Sequence, residues 1–575
     1  MSSLTVYYLR PILSDVPVKF RRFLISNFEV WLDTFFDVKT IELLKDGKVT
    51  KISGRVDLII LQIVPDIGLM NYPLFFEDES IPKVGYISMD SFSPCRYEGF
   101  RYFRKFNIDS YFSIDLNLGM RYKAVRDSLY YIPWFIPSDD LASEPIKQKK
   151  DFILLASHYR GTYPWRNKIF PLLKDQYPTS EIEHFSVFGK DFLERLSLAK
   201  YIPTDGGFGR IIVNKHLEIP ASKSCLITQS TEAVLAMGFK DMENCIMADS
   251  LEELKPKIEY CETDDKKYTN IVENGFRLIK DYHTEKNRVQ VIDWYKLNKA
   301  KDVNSKIVQP ELFGTLQLVN KDSLTSTYVQ GISDDKIITD EIDLLITEGK
   351  FQDALKKCDF LINEFNDYCP DFLIRKAIVC ISLQDFPAAV KCVLQLFSVE
   401  MRNGKAEQPD PVEWGMLLLV FYLGRKRKIV ARLLDFFDYN DDSFVNVIKA
   451  GIAVSLNRND EASYFMNQSL QLGEQSFSSH STVPQKFSEV LEWVKQIDLN
   501  AAFPSKELEL LSEKQLPENK TVNGFFSKRT AIEKCYYVEY YCFNYSGEKS
   551  LLHLLKNRLR LLRDVAKVRL SKQRV

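Results

Sequence analysis

The chain is 575 residues long, enough for three or four domains. It is 45% hydrophobic and 27% charged, and its net charge of −1 argues against a polyelectrolyte binder. Ten scattered cysteines with no C-x-x-C pair argue against a zinc module or a disulfide framework and fit a cytoplasmic protein with reduced thiols. The N-terminus, with Arg10 and Pro11 and no long apolar core, does not read as a signal peptide. The longest apolar run, 416–423, falls far short of the roughly 20 residues of a membrane span.

Residues 1–140 are expected to form one α/β domain. Leu4 to Leu9, Val56 to Val64, Lys83 to Met89, Ser110 to Ile114 and Tyr130 to Pro133 are strand-like. Phe20 to Phe36 places Phe23, Leu24, Phe28, Trp31, Leu32 and Phe35 at helical spacing. Strands alternating with helical stretches indicate a parallel sheet covered on both faces. Ligands sit at the carboxyl ends of such strands, and Asp90 follows the strand that begins at Lys83. Asp90 has two readings: a cap of the following turn beside Ser91 and Ser93, or a cleft-facing carboxylate fit to act as a general base. The aromatic, proline-punctuated stretch Tyr130 to Pro137 is the expected crossing to the next domain.

Residues 141–300 are expected to form a second α/β domain. Asp151 to Ala156 is a strand, followed by a loop with Arg160 and Gly161, then Arg166 and a helix from about Asn167 to Lys174. A strand, a glycine-containing loop and a helix start can set backbone N–H groups on a phosphate, with the two arginines adding charge. Arg166 also fits a plain helix-surface charge. His184 to Phe188 is the next expected strand, and Thr204 to Gly209 reads as a flexible loop, not a dinucleotide fingerprint.

The most informative stretch is Asn214 to Thr228. It opens with Lys215, His216 and Glu218, passes through Ala221, Ser222 and Ser224, and ends in the apolar strand Cys225 to Ile227. Cation for phosphate, carboxylate for ribose hydroxyls and small residues for close approach is the order expected where a chain meets a nucleotide. A Lys and a Glu three apart also describe a solvated helix face. Downstream come a strand at Cys245 to Met247, Ser250 as an N-cap with Glu253 in capping-box position, helices to about Cys261 and Asp281, and the run His283 to Arg288. His283 has a plain reading as a structural, hydrogen-bonded histidine. The six histidines are dispersed and no Asp-x-Asp occurs, so neither metal nor cofactor is expected.

This order resembles the donor-side half of glycosyltransferases of the GT-B fold. More narrowly it is similar to the CgeB-type (spore-maturation, group 1-like) glycosyltransferases. In these an Arg-x-x-Glu-Ile-x-Ala-x-Gly segment precedes a strand, a Ser-x-x-Glu-Leu and a His-Thr-(Tyr/Trp)-x-x-Arg helix. Here Lys215, Glu218, Ile219, Ala221 and Lys223 stand in the first segment. The resemblance covers roughly 150–295, and the first 140 residues loosely. It implies two Rossmann-like domains, a nucleotide-sugar donor held by the second, and a glycan, protein or other hydroxyl acceptor entering from the first, without a metal. It implies Arg160, Gly161, Arg166 and Lys215 at the diphosphate, Glu218 at ribose, Thr228 beside the donor, and Asp90 as the catalytic base. There are three departures: Lys215 for arginine, which loses bidentate phosphate geometry, Lys223 where glycine permits close backbone approach, and no clear match for the first glutamate of the broader group 1 two-glutamate motif.

Residues 301–335 are polar and expected to be a linker. Residues 336–500 carry a repeat: Phe351 and Ala354 recur 35 residues later as Phe386 and Ala389, close to the period of tetratricopeptide-like helix pairs. Gly424 and Asn459 mark degenerate later units. Such a scaffold suits a protein partner or self-association. Residues 501–575 end in a basic amphipathic stretch, Ser550 to Arg574, which suits an anionic membrane, nucleic acid, or docking on the repeats. The expected fold class is thus two Rossmann-like α/β domains (GT-B) followed by an α-helical repeat domain. The expected function is a glycosyltransferase, with two alternatives: a non-catalytic scaffold working through its repeats, or a transferase acting on nucleic acid.

Overall fold

A computed structural model describes residues 4–16, 21–44, 48–64, 72–88, 97–115, 118, 123–142, 150–156, 163–184, 190–207, 211–312, 314–327, 334–365, 370–402, 406–439, 442–472, 487–497, 503–512 and 531–546. Asp90, Arg160, Gly161 and the basic stretch 550–574 lie outside the described residues.

The first lobe is a six-stranded, all-parallel sheet. Its strands are β1 (Leu4–Pro11), β2 (Phe36–Leu43), β3 (Leu58–Ile63), β4 (Lys83–Ile87), β5 (Tyr111–Ser113) and β6 (Leu129–Tyr131), in the order β2-β1-β3-β4-β5-β6. Every residue of β3 and β4 is buried, as befits central strands covered on both faces. Side chains of β1 alternate between those faces. Val6 and Tyr8 join Phe28, Trp31 and Leu32 of helix α1 (Asn27–Phe35), while Leu9 packs in the core that holds Phe100 and Phe103 of α2 (Tyr97–Lys105).

The second lobe is a five-stranded parallel sheet of β7 (Lys150–Ala156), β8 (Glu181–His184), β9 (Ala199–Pro203), β10 (Cys225–Thr228) and β11 (Ile246–Met247), ordered β8-β7-β9-β10-β11. Its helices are α3 (Pro164–Gln176), α4 (Lys190–Leu196), α5 (Lys215–Ala221), α6 (Glu232–Ala236), α7 (Leu251–Glu262) and α8 (Asp265–Tyr282). Within these two large sheets, β2 and β9 were not expected from the sequence, and β8 begins before the expected His184.

The chain then returns to the first lobe. Helix α9 (Gln290–Ala300) sets Trp294 edge-on to Phe112 at 6.4 Å, and Tyr295 donates to Asp57 at 3.3 Å. The 301–335 stretch contains an antiparallel hairpin, Ser305–Val308 with Gln317–Asn320, that buries Ile307 and Leu316 on the same core. Gln309 accepts from the backbone N–H of Tyr131 at 2.7 Å, satisfying a donor on the edge strand β6. Arg288, fully buried, donates to the carbonyls of Pro133 (2.9 Å), Trp134 (2.7 Å) and Tyr282 (3.0 Å), while its own carbonyl accepts from Trp31. It pins the 130–137 crossing to the chain's return path.

Residues 334–546 are helical wherever ordered elements are described: α10 (Asp334–Thr347), α11 (Phe351–Phe365), α12 (Pro370–Ser382), α13 (Phe386–Arg402), α14 (Pro411–Leu423), α15 (Arg427–Leu433), α16 (Ser443–Ser455), α17 (Asn459–Leu472), α18 (Phe487–Ile497), α19 (Ser505–Ser512) and α20 (Ala531–Ser546). One turn recurs. Gly349, Gln384, Arg425 and Asn457 have positive φ (72°, 60°, 58° and 59°), each two residues before the next helix. Each turn closes with the same pair of bonds, as in Lys350 N–H to Leu345 and Gly349 N–H to Ile346, or Asp385 N–H to Cys380 and Gln384 N–H to Ile381. This is the Schellman motif, which satisfies a helix's last carbonyls. The helical region docks on α2: Asp410 accepts from the Tyr97 N–H at 3.3 Å and Glu98 accepts from the Glu407 N–H at 3.2 Å. Two Rossmann-like α/β lobes followed by a helical region is the architecture expected from the sequence.

Candidate functional site

In a doubly wound parallel sheet the ligand crevice opens at the carboxyl ends of the strands where the strand order reverses. In the second lobe the reversal lies between β7 and β9. Strand β9 runs directly into Thr204 and Asp205, and α3, which follows the β7 loop, delivers Arg166 to the same place. The Arg166 guanidinium is 2.9 Å from one Asp205 oxygen, and its backbone N–H donates to the other at 3.1 Å. It also donates to Thr204 Oγ1 (3.0 Å) and the Leu155 carbonyl (3.2 Å) and lies 4.0 Å over the Tyr163 ring. Arg166 is 2% exposed and Asp205 0%. Burial pushes the Asp205 carboxyl upward, and Arg166 pulls it back.

Lys215, at the start of α5, is also buried and within electrostatic reach of this pair. Burial drives its ammonium pKa well below the ordinary value and Arg166 lowers it further, while Glu218 and Asp205 oppose the fall. Glu218, one turn along the same face, is half-buried. The site thus gathers two basic side chains around one buried carboxylate, with a second carboxylate at its edge.

Helix α5 is held from below. His216 Nδ1 lies 3.1 Å from the Val213 backbone nitrogen and 3.3 Å from its carbonyl oxygen, and its Nε2 is hydrogen-bonded to Thr228 Oγ1 at 3.0 Å. Either tautomer of the neutral ring satisfies both nitrogens here. Burial pushes the His216 pKa down to about 3, which keeps the ring neutral. Thr228, at the end of β10, is buried and occupied as the seat of this histidine. From above, α8 crosses α5 at Gly275, where an added Cβ would lie 2.7 Å from the Asn244 carbonyl and 3.4 Å from Pro220 Cβ.

Lys223 has φ +56° and closes α5 with a Schellman motif, its N–H donating to Pro220 and that of Ser224 to Ile219. The position demands the left-handed conformation that glycine adopts without cost, so its glycine character is explained by ending the helix. The lysine Nζ lies 4.8 Å over the Phe276 ring.

Arg166, Lys215, Glu218 and Thr228 all fall within this region of the second lobe, whereas the other three candidates lie outside the described residues. Sequence reasoning missed Asp205 and the bracing role of His216. His283, as read, is structural: its Nε2 bonds the Met237 carbonyl at 2.8 Å, and burial pushes its pKa to about 3. Ser250 caps α7, but the Glu253 carboxylate reaches the Asp249 N–H. Among the described residues, no three His, Cys, Asp or Glu side chains are grouped to hold a metal ion, and no helix is long and apolar enough to cross a membrane.

Residues 178–293 match the family model described as Glycosyl transferase-like. No curated protein matches the chain. Solved structures similar to it include sucrose-phosphate synthase from Thermosynechococcus elongatus, at 8% identity and TM-score 0.36 over 52% of this chain and 99% of that one. HepE from Anabaena in complex with UDP matches at 9% identity and TM-score 0.33, over 52% and 100%. An alpha1,3-fucosyltransferase with GDP matches at 12% and 0.31, over 52% and 91%. The chain carries a glycosyltransferase-like domain, with Asp205, Lys215, Glu218 and Thr228 inside it and Arg166 just before it.

Proposed function

We propose that the protein is a glycosyltransferase that moves a sugar from a nucleotide-sugar donor to a hydroxyl of a glycan or protein acceptor. The observation that carries this reading is the cluster of Arg166, Lys215 and Asp205 at the sheet's reversal point, beside a domain matching a glycosyltransferase-like family. Two basic side chains against one buried carboxylate favour the arrival of an anion. A diphosphate beside Lys215 raises its proton affinity and gains a charge-assisted bond.

In the transfer step the bond from the sugar's anomeric carbon to the phosphate oxygen breaks and a bond to the acceptor oxygen forms. The acceptor's proton passes to a base, and the nucleoside diphosphate leaves with the negative charge. Lys215 meets that charge directly and Arg166 adds its field from beneath, in place of a metal. Glu218 holds the ribose hydroxyls. Arg160 and Gly161 at the diphosphate, and Asp90 as base, retain the roles implied by the CgeB-type resemblance. Thr228 serves the donor through His216, by fixing α5. The tetratricopeptide-like region is assigned to a protein partner or self-association, and a cytoplasmic location is part of the same proposal.

The test is release of nucleoside diphosphate from a panel of UDP-, GDP- and ADP-sugars, supplied with glycan and protein acceptors. One nucleotide class should turn over, and Lys215→Ala should slow it by about 100-fold or more, the scale of losing one charge-stabilising donor. Nucleotide binding without turnover on any acceptor would favour the scaffold reading.

A further inference from the structure

Asn214 precedes α5 in helical conformation (φ −52°, ψ −35°), and its side chain makes no capping bond. Both of its amide atoms, Nδ2 and Oδ1, are buried without a hydrogen-bond partner. Among the described residues it is the only side chain with two such atoms. Native proteins seldom leave even one polar atom so placed, and each case asks for a ligand, a water or a strain to explain it. The residue as a whole is only partly buried, and no bond holds the amide in place, so it can turn onto a ligand.

Its position says which ligand. Asn214 and Glu218 are one turn apart on one face, with Lys215 beside them. A nucleotide sugar is a linear molecule of ribose, diphosphate and sugar. With ribose at Glu218 and diphosphate at Lys215, the transferred sugar falls at the Asn214 end. The amide's chemistry agrees. It offers a donor and an acceptor side by side, which two vicinal hydroxyls can fill together, whereas a phosphate oxygen only accepts and would leave Oδ1 unpaired. We propose that Asn214 holds a pair of vicinal hydroxyls on the transferred sugar of the donor. This rests on the glycosyltransferase reading above.

Calorimetric titration of wild type, Asn214→Ala and Glu218→Ala with a nucleoside diphosphate and with the matching nucleotide sugar tests it. Asn214→Ala should weaken the nucleotide sugar about tenfold while leaving the diphosphate within about twofold, since one neutral hydrogen-bonding side chain is lost. Glu218→Ala should weaken both. Equal losses for both ligands in Asn214→Ala, or no loss for either, would overturn the proposal and leave a structural amide or one satisfied by trapped water. Asn214→Asp, which keeps the shape and loses the donor, supplies the comparison if the alanine variant does not fold. Wild-type protein that binds neither ligand would remove the underlying reading as well, an outcome distinct from the other two.

Discussion

Replacing Asp205 with alanine removes the carboxylate that both the guanidinium and the backbone N–H of Arg166 meet. Arg166 then stays buried with Lys215 nearby and no counter-charge between them. Breaking a buried ion pair by deleting one partner costs about 3–5 kcal/mol, and the lost bond from the Arg166 N–H adds about 1 kcal/mol. At roughly 2–4 °C per kcal/mol for a unit of 150–250 residues, the thermal midpoint should fall by roughly 8–24 °C. Asp205→Asn keeps the acceptor for the backbone N–H and should recover about 1 kcal/mol. The decisive assay is a double-mutant cycle with Arg166→Met, read by urea or thermal unfolding. The double variant strands no guanidinium and should be more stable than Asp205→Ala alone. An Asp205→Ala loss below about 1 kcal/mol, or strict additivity in the cycle, would refute the reasoning.

Gln384 is exposed at φ 60°, so Gln384→Gly should stabilise the helical region by about 1 kcal/mol, seen as a higher urea midpoint. Lys223→Gly should gain less, because it gives up the contact with Phe276 worth about 0.5–1 kcal/mol. Gly275→Ala drives a Cβ to 2.7 Å from the Asn244 carbonyl and should cost roughly 1–3 kcal/mol and weaken nucleotide binding, because α8 holds α5 at that crossing. The pH dependence has opposing parts. Burial lowers His216 and His283 from 6.5 to about 3, so the stability they contribute is complete above pH 6.5 and falls as pH drops toward 3. Burial raises Glu98 from 4.5 to about 7, so its contribution is present below pH 4.5 and is lost as pH rises through 7. Between pH 4.5 and 6.5 these three groups leave a net loss on acidification of roughly 1.4 kcal/mol per pH unit, and Glu98→Gln should about double that slope. Unfolding midpoints across this range that are as steep in wild type as in Glu98→Gln would contradict the assignment.

The central strands were legible because burial on both faces leaves an apolar run, as in Leu58 to Ile63. Strand β2 was not, since an edge strand alternates and Asp37, Lys39 and Glu42 break the pattern. Strand β9 is five residues with Lys200 and Pro203 in it, too short and mixed to register. Missing β9 hid Asp205, whose meaning depends on a strand order that sets β9 beside β7. Lys215 and Glu218 were legible from spacing on one helix face. The inward turn of Arg166 was not, because an arginine at a helix start looks the same whether it faces water, phosphate or a buried carboxylate. At Lys223 the sequence suggested lost access for a ligand, whereas the backbone shows a helix terminus in left-handed conformation. The starts of α11 and α13 were legible in the spacing of Phe351 and Phe386. The turns at Arg425 and Asn457 share the backbone of the turn at Gly349 but neither its glycine nor the 35-residue spacing of Phe351 and Phe386, and so left a weaker mark.

The most direct measurement is thermal stability against a panel of nucleoside diphosphates and nucleotide sugars, on wild type and Glu218→Ala. Ligand at about a hundred times its dissociation constant adds about 2.7 kcal/mol to the folded state. The account expects stabilisation by one nucleotide class and a smaller shift in the variant. Well-folded wild-type protein that no nucleotide or nucleotide sugar stabilises would contradict it.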